Sequence, residues 1–213
     1  MKKIAIYGAG GFGREVACLI YKINEKSPQW EFIGFFDDGI EKGSQNEYGV
    51  VLGGMKELNN YPENLSVAIA IALPKIKEKV HKNINNPKVN FPNIISPDLV
   101  YLDEQNILIG IGNIICTGCL LSCNVKIGNF NIINGFIPIG HDTSMGDYNS
   151  IMPAVKLSGE VSIKDRNFFG VNSVVLQGVK IGDDVTVGAN SLILRKTKDG
   201  MTYVGSPATI MKY

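Results

Sequence analysis

The chain is 213 residues long, with 45% hydrophobic residues and 21 basic side chains against 20 acidic ones. That length fits one large domain or two small ones. The balanced charge excludes both the basic surface of a nucleic-acid binder and an acidic tail. No apolar run reaches about 18 residues, so no membrane-spanning helix is predicted. The apolar start after Lys3 meets glycines and Arg14 with no small-residue cleavage site, so no secretory leader is expected. Cys18, Cys116, Cys119 and Cys123 fit free thiols in a reducing cytoplasm, the expected location.

Residues 1–95 alternate strand-like and helix-like segments. Lys3–Tyr7 reads as a buried strand, Gly8-Ala9-Gly10-Gly11-Phe12-Gly13 as a turn, and Arg14–Asn24 as a helix with Val16, Ala17, Leu19, Ile20 and Ile23 at helical spacing. Glu31–Phe36 is a second strand, ending in Asp37-Asp38-Gly39, and Glu41–Tyr48 reads as a loop. Val67–Ala72 is a further strand, and Pro74–Asn83 a helix with proline in its first turn. Such alternation implies a parallel sheet with crossover helices. Pro92 and Pro97 punctuate the junction with residues 96–213.

From Ile109 the rhythm changes. Every sixth residue from Ile109 through Ile115, Leu121, Ile127 and onward to Ile193 is apolar, fifteen in all. Chance gives such a run about once in 30,000. The next residue is glycine at 110, 128, 140, 146, 170, 182 and 188, and the fourth is small, β-branched or Asn, as at Val125, Asn131 and Thr143. A period of six suits short strands joined by tight turns, three per coil, stacked into a parallel β-helix. The aliphatic residue fills the prism, and glycine and Asn are expected to supply positive φ at its corners. Cys116-Thr117-Gly118-Cys119 lies inside this repeat, where it reads as small apolar filling or as a metal or redox pair. His141 is the one histidine in the repeat; two positions past Ile139, it is expected to face outward beside Asp142. An imidazole titrating near neutrality suits removal of a proton from an acyl acceptor, with a neighbouring carboxylate fixing the tautomer.

These hexads resemble the bacterial transferase hexapeptide repeat. With Gly8-x-Gly10-x-x-Gly13, Gly34-Phe35-Phe36-Asp37-Asp38, Ile139-Gly140-His141-Asp142 and Val204-Gly205-Ser206-Pro207-Ala208, the chain is similar to sialic acid O-acetyltransferases and nucleotide-sugar N-acetyltransferases of surface-glycan synthesis. The resemblance implies an α/β half-Rossmann domain (1–95) followed by an all-β left-handed parallel β-helix (96–213), assembled as a homotrimer. It implies transfer of acetyl from acetyl-CoA to a sugar amine or hydroxyl without a metal, with His141 as base and Asp142 as its partner. Asn134 then lies on the acceptor side. Acetyl-CoA runs past Gly159, Val171, Gly188 and Ala189, with Pro207 near the adenine. Where some members carry a second histidine near the acetyl carbonyl this chain has Ser150, leaving the oxyanion to a hydroxyl or backbone N–H.

Gly8, Gly10, Gly11, Phe12 and Gly13 stand in the strand-to-helix context of a dinucleotide fingerprint, and Asp37, with Asp38 beside it, is spaced to meet a ribose hydroxyl. Only half of a doubly wound domain precedes the repeats, and the resemblance gives this half to the nucleotide-sugar acceptor. Leu73 departs from the family's polar residue there. A lone repeat histidine argues against the three-histidine zinc site of a carbonic anhydrase on the same prism. An oxidoreductase would need a complete dinucleotide site and leaves the long repeat without a task, and a further alternative is a non-catalytic scaffold or activator of a neighbouring glycan enzyme.

Overall fold

The computed structural model describes residues 1–211, in two compact units, Met1–Pro97 and the chain from Asp98 onward. In the first, β1 (Lys2–Tyr7), α1 (Gly11–Lys26) and β2 (Trp30–Phe36) are followed by β3 (Gln45–Asn46), β4 (Gly49–Gly53) and the short α2 (Met55–Asn59). Then come β5 (Leu65–Ile69), α3 (Pro74–Asn83) and β6 (Val89–Asn90). The sheet order is β3-β4-β2-β1-β5-β6, and only β3 runs antiparallel to its neighbour. The chain builds β2 and β4 on one side of β1 and then β5 and β6 on the other, so the strand order reverses at β1 and its C-terminal end is a switch point, where open α/β sheets bind ligands. Val16, Ala17, Leu19, Ile20 and Ile23 of α1 are buried, as their spacing predicted.

Two local expectations are corrected. The predicted loop 41–48 contains β3, because Asn46 Oδ1 accepts the N–H groups of Tyr48 and Gly49 at 2.9 and 3.1 Å and turns the chain back onto β4. The strand expected at Val67–Ala72 begins earlier, at Leu65, and ends at Ile69. Apolarity continues through Leu73, but the ladder does not.

The second unit is a parallel β-helix. Two-residue strands form three walls, and between Leu108 and Ile193 paired residues lie eighteen apart, as in Ile114 with Ile132, Leu120 with Pro138 and Lys126 with Ser144. The aliphatic hexad residues from Ile115 to Ile193 are buried. Ile109, at the first rung, is only half-buried. The second inward position is buried as well, and on one wall it carries a polar column. Asn131, Asn149, Asn167 and Val185 each donate their backbone N–H, at 2.7–2.9 Å, to the side-chain oxygen of Asn113, Asn131, Asn149 and Asn167 respectively. These buried amides are thereby satisfied, which is the condition for keeping them in a core.

The expectation of glycine and Asn at positive-φ corners holds at Gly112, Gly118, Gly178, Asn124, Asn172 and Asn190, but the glycines that follow the inward residue have another role. Gly110, Gly128, Gly146 and Gly182 do not have positive φ. A Cβ on them would lie 2.4, 2.3, 2.1 and 2.0 Å from side-chain oxygens of Asn129, Asp147, Asp165 and Asp199 on the next coil. Glycine there permits close approach. Those oxygens belong to a second column: the N–H groups of Asn129, Asp147, Asp165 and Asp183 bond to Asp147, Asp165, Asp183 and Asp199 at 2.7–3.1 Å. The left-handed corner falls two residues after the glycine position. Besides Gly112, Gly118 and Gly178, at φ 68–72°, it is occupied by Asn124, Phe130, Phe136, Asp142, Tyr148, Ala154, Glu160, Arg166, Asn172, Asp184 and Asn190, with φ between 54° and 62°. Stacking of coils imposes a conformation that ordinary side chains otherwise avoid by roughly 1–2 kcal/mol. Among the described residues no helix is long and apolar enough to cross a membrane.

Candidate active site

Ile139 anchors one wall inside the prism, and the chain then turns outward through Gly140, His141 and Asp142. The imidazole is therefore outside, with 46% of its side chain accessible. Asp142 is the corner residue, at φ 57°, a conformation Asp tolerates better than most residues. That turn brings its Oδ2 to 2.8 Å from His141 Nδ1. On the coil before, Asn124 Nδ2 donates to Asp142 Oδ1 at 3.0 Å. Hydrogen bonds from His141 and then from Asn124 hold the Asp142 carboxyl below the usual carboxylate range. On the coil after, Gly159 lies beneath the ring: a Cβ there would be 2.4 Å from His141 Nε2. The backbone is tied as well, with Asp142 N–H bonding to Cys123 O at 2.9 Å and Glu160 N–H to His141 O at 2.7 Å.

The corner is therefore a column of Asn124, Asp142 and Glu160, with the imidazole resting on a glycine. With Nδ1 engaged by a carboxylate, Nε2 is the nitrogen left to exchange a proton with a substrate. Beside the dyad, Gln105, Asn106, Leu108, Asn124, Lys126, Asp142, Thr143 and Ser144 line a cleft of about 480 Å³.

At the C-terminal end of β1, Gly8 has φ 107°, and a Cβ would meet Ala70 O at 2.9 Å. Gly13 lets α1 pack on this turn, since a Cβ would come to 1.9 Å from Gly8 O. Nothing lies within 4 Å of a Cβ built on Gly10 or Gly11, so the backbone at the start of α1 is open. Gly10 caps that helix without a side-chain bond, and Phe12 is half-buried behind it. A helix start so arranged attracts anionic groups. Asp37 accepts the N–H of Ala9 and of Gly39, each at 2.8 Å. Asp38 accepts from Tyr7 Oη at 2.5 Å and from Met55 N–H at 2.7 Å, and burial with this bond raises the Tyr7 hydroxyl's pKa. Both carboxylates thus brace the turn itself. Leu73, at the start of α3, is exposed.

Residues 3–84 match the PglD N-terminal domain, and residues 160–195 match the hexapeptide repeat of succinyl-transferase. The solved structure of WeeI from Acinetobacter baumannii AYE is 30% identical, with TM-score 0.88 over 99% of this chain and 100% of that one. This chain belongs to the PglD-type hexapeptide-repeat acetyltransferase family. Its β-helix is accordingly the left-handed one. The acetyltransferase domain of PglB from Neisseria gonorrhoeae FA1090 is 26% identical, with TM-score 0.83 over 99% of this chain and 100% of that one. PerB from Caulobacter crescentus, solved in complex with CoA and GDP-perosamine, is 26% identical, with TM-score 0.86 over 100% of this chain and 98% of its own. No curated protein sequence matches the chain.

In this PglD-type acetyltransferase the predicted site residues fall on two corners of the prism. His141, Asp142 and Gly159 share one. Asn134, Val171 and Ala189 belong to the adjacent one, just before the left-handed residues Phe136, Asn172 and Asn190. Val171 and Ala189 are exposed there, Gly188 is half-buried, and Asn134 Oδ1 accepts the Gly135 N–H at 2.7 Å. Pro207 is exposed in the hairpin that follows the last coil, after a cis peptide bond with Ser206. Ser150 is fully buried, so its hydroxyl is not presented to solvent. Cys119 fills an inward position, with Sγ directed to Asn134 O at 3.0 Å, and burial pushes its thiol up to about 11. Sequence reasoning missed Asn124 and Lys126. The eighteen-residue period, counted back from Asp142 and Ser144, points to both.

Proposed function

We propose that this acetyltransferase moves an acetyl group from acetyl-CoA to an amino group of a nucleotide-linked sugar, with His141 Nε2 as the general base. The observation that carries the reading is the outward imidazole, with Nδ1 held by Asp142 and Nε2 above Gly159, without a hydrogen bond among the described residues. Asp142 keeps the proton on Nδ1. Nε2 takes a proton from the amine as nitrogen attacks the thioester carbonyl. Collapse of the tetrahedral intermediate breaks the carbon–sulfur bond, and the imidazolium returns its proton to the departing thiolate. The family's PglB domain is solved with acetyl-CoA and PerB with CoA and GDP-perosamine, which supports this donor and this acceptor class.

The two-corner distribution of the expected contacts supports a site completed between copies. One chain supplies His141 and Asp142, and a neighbour in a trimer supplies the corner with Asn134, Val171 and Ala189. The open start of α1, with Gly10 and Gly11, suits the nucleotide diphosphate. Since Ser150 is buried, a backbone N–H is the better candidate for the oxyanion. The test is thiol release from acetyl-CoA against a panel of nucleotide-linked amino sugars and free sialic acids. An amino-sugar nucleotide should be the preferred acceptor, and His141→Ala should lower kcat by about 100-fold or more. Unchanged release in that variant would remove the base. Full complementation of glycan synthesis in cells by the same variant would instead favour a scaffold.

A further inference from the structure

Asp142 is half-exposed, and the torsion that turns its carboxylate is soft. A single bond to His141 would leave that group free to swivel, and Lys126 lines the same cleft as an alternative partner. The structure divides the two oxygens instead: Oδ2 faces His141 Nδ1 at 2.8 Å and Oδ1 takes the Asn124 amide at 3.0 Å. Asn124 is the corner residue one coil earlier, at φ 57°.

A simpler account would be that Asn stands at 124 because left-handed corners favour it. The corner series argues otherwise. Phe130, Phe136, Tyr148, Ala154 and Arg166 adopt the same conformation, so the fold does not require Asn at a corner. Asn124 supplies an amide donor where the dyad carboxylate has an oxygen to be fixed. We infer that Asn124 is a positioning residue for the acetyl-transfer step, locking the Asp142 carboxylate so that His141 carries its proton on Nδ1. This rests on the acetyl-transfer reading for its role, although the bond pattern can be tested alone.

Two variants separate the amide from the backbone. Asn124→Gly keeps the left-handed corner and removes the donor. Asn124→Asp keeps the shape and replaces the donor with a second carboxylate. The chain has two histidines, so long-range proton–nitrogen spectra of the full-length protein report the His141 tautomer directly, with His141→Ala assigning the signals. In Asn124→Gly the Nδ1–H population should fall and kcat should drop roughly tenfold, with KM for acetyl-CoA held within about twofold. Asn124→Asp should lose more at neutral pH. Wild-type tautomer and kcat in Asn124→Gly, or wild-type behaviour of Asn124→Asp, would overturn the assignment. If the wild-type protein releases no thiol with any acceptor, the acetyl-transfer reading fails, and the spectra still decide whether Asn124 governs the imidazole.

Discussion

The two units solve the same problem of orienting backbone in opposite ways. In the sheet unit each close approach is made once, by one residue: Gly8 against Ala70, Gly13 against Gly8, Asn46 under its turn. In the β-helix each approach is repeated every eighteen residues, and a side-chain column satisfies several coils at once. Damage should therefore spread through the first unit and stay local in the second. Three substitutions, taken from the largest expected effect to the smallest, can break or sharpen that contrast.

Gly13→Ala places a methyl group 1.9 Å from a backbone oxygen, so α1 must lift from the strand end. A loss of about 3 kcal/mol or more is expected, read as early proteolysis of residues 1–97 while the β-helix resists. Simultaneous loss of both units would show that they do not melt separately. Gly159→Ala meets a side chain in place of backbone, and the His141 ring can move away. Thermal stability should change little, while kcat falls roughly 100-fold through displacement of Nε2. A large fall in melting temperature with intact turnover would reverse that assignment. Ser173→Ala should be mildly favourable. The Ser173 hydroxyl is buried and finds no hydrogen-bond partner among the described residues, so its removal should add about 1 kcal/mol, measured as a raised denaturant midpoint.

The same contrast explains what could be read from the chain itself. A period of six repeated fifteen times overrides local ambiguity, and the prism, its inward residues and the outward His141 are legible in the chain alone. The conformation of the corners is not. Glycine and Asn suggest positive φ by their own preferences, and Gly112, Gly118 and Asn124 follow them, whereas Gly128 and Gly146 make room for an approaching oxygen and other left-handed sites hold Phe130, Tyr148 and Arg166. Stacking decides that geometry, and composition does not report it. The sheet unit has no period to help. Its β3–β4 hairpin depends on a single Asn46 side chain, and the run Val67–Leu73 carries no sign of where pairing stops. Lys77 shows the limit most clearly: it is fully buried on α3 while its neighbour Ile76 is exposed, and burial pulls its pKa well below the usual lysine value. At the candidate site, His141 and Asp142 stood out as a sequence pair. Asn124 did not, because its relation to them exists only after one full coil has been wound.

Like-for-like stacking at eighteen residues also gives the molecule an indexing rule, as a screw thread does. Excising eighteen consecutive residues beyond Gly159 would rejoin identical thread positions and shorten the rod with every later side chain still facing its original direction. Excising six would rotate everything downstream by a third of a revolution, exchanging the edge that carries Val171 and Ala189 for another. Length can therefore change cheaply only in whole revolutions, and the distance from the edge that carries His141 to the last coil is quantised.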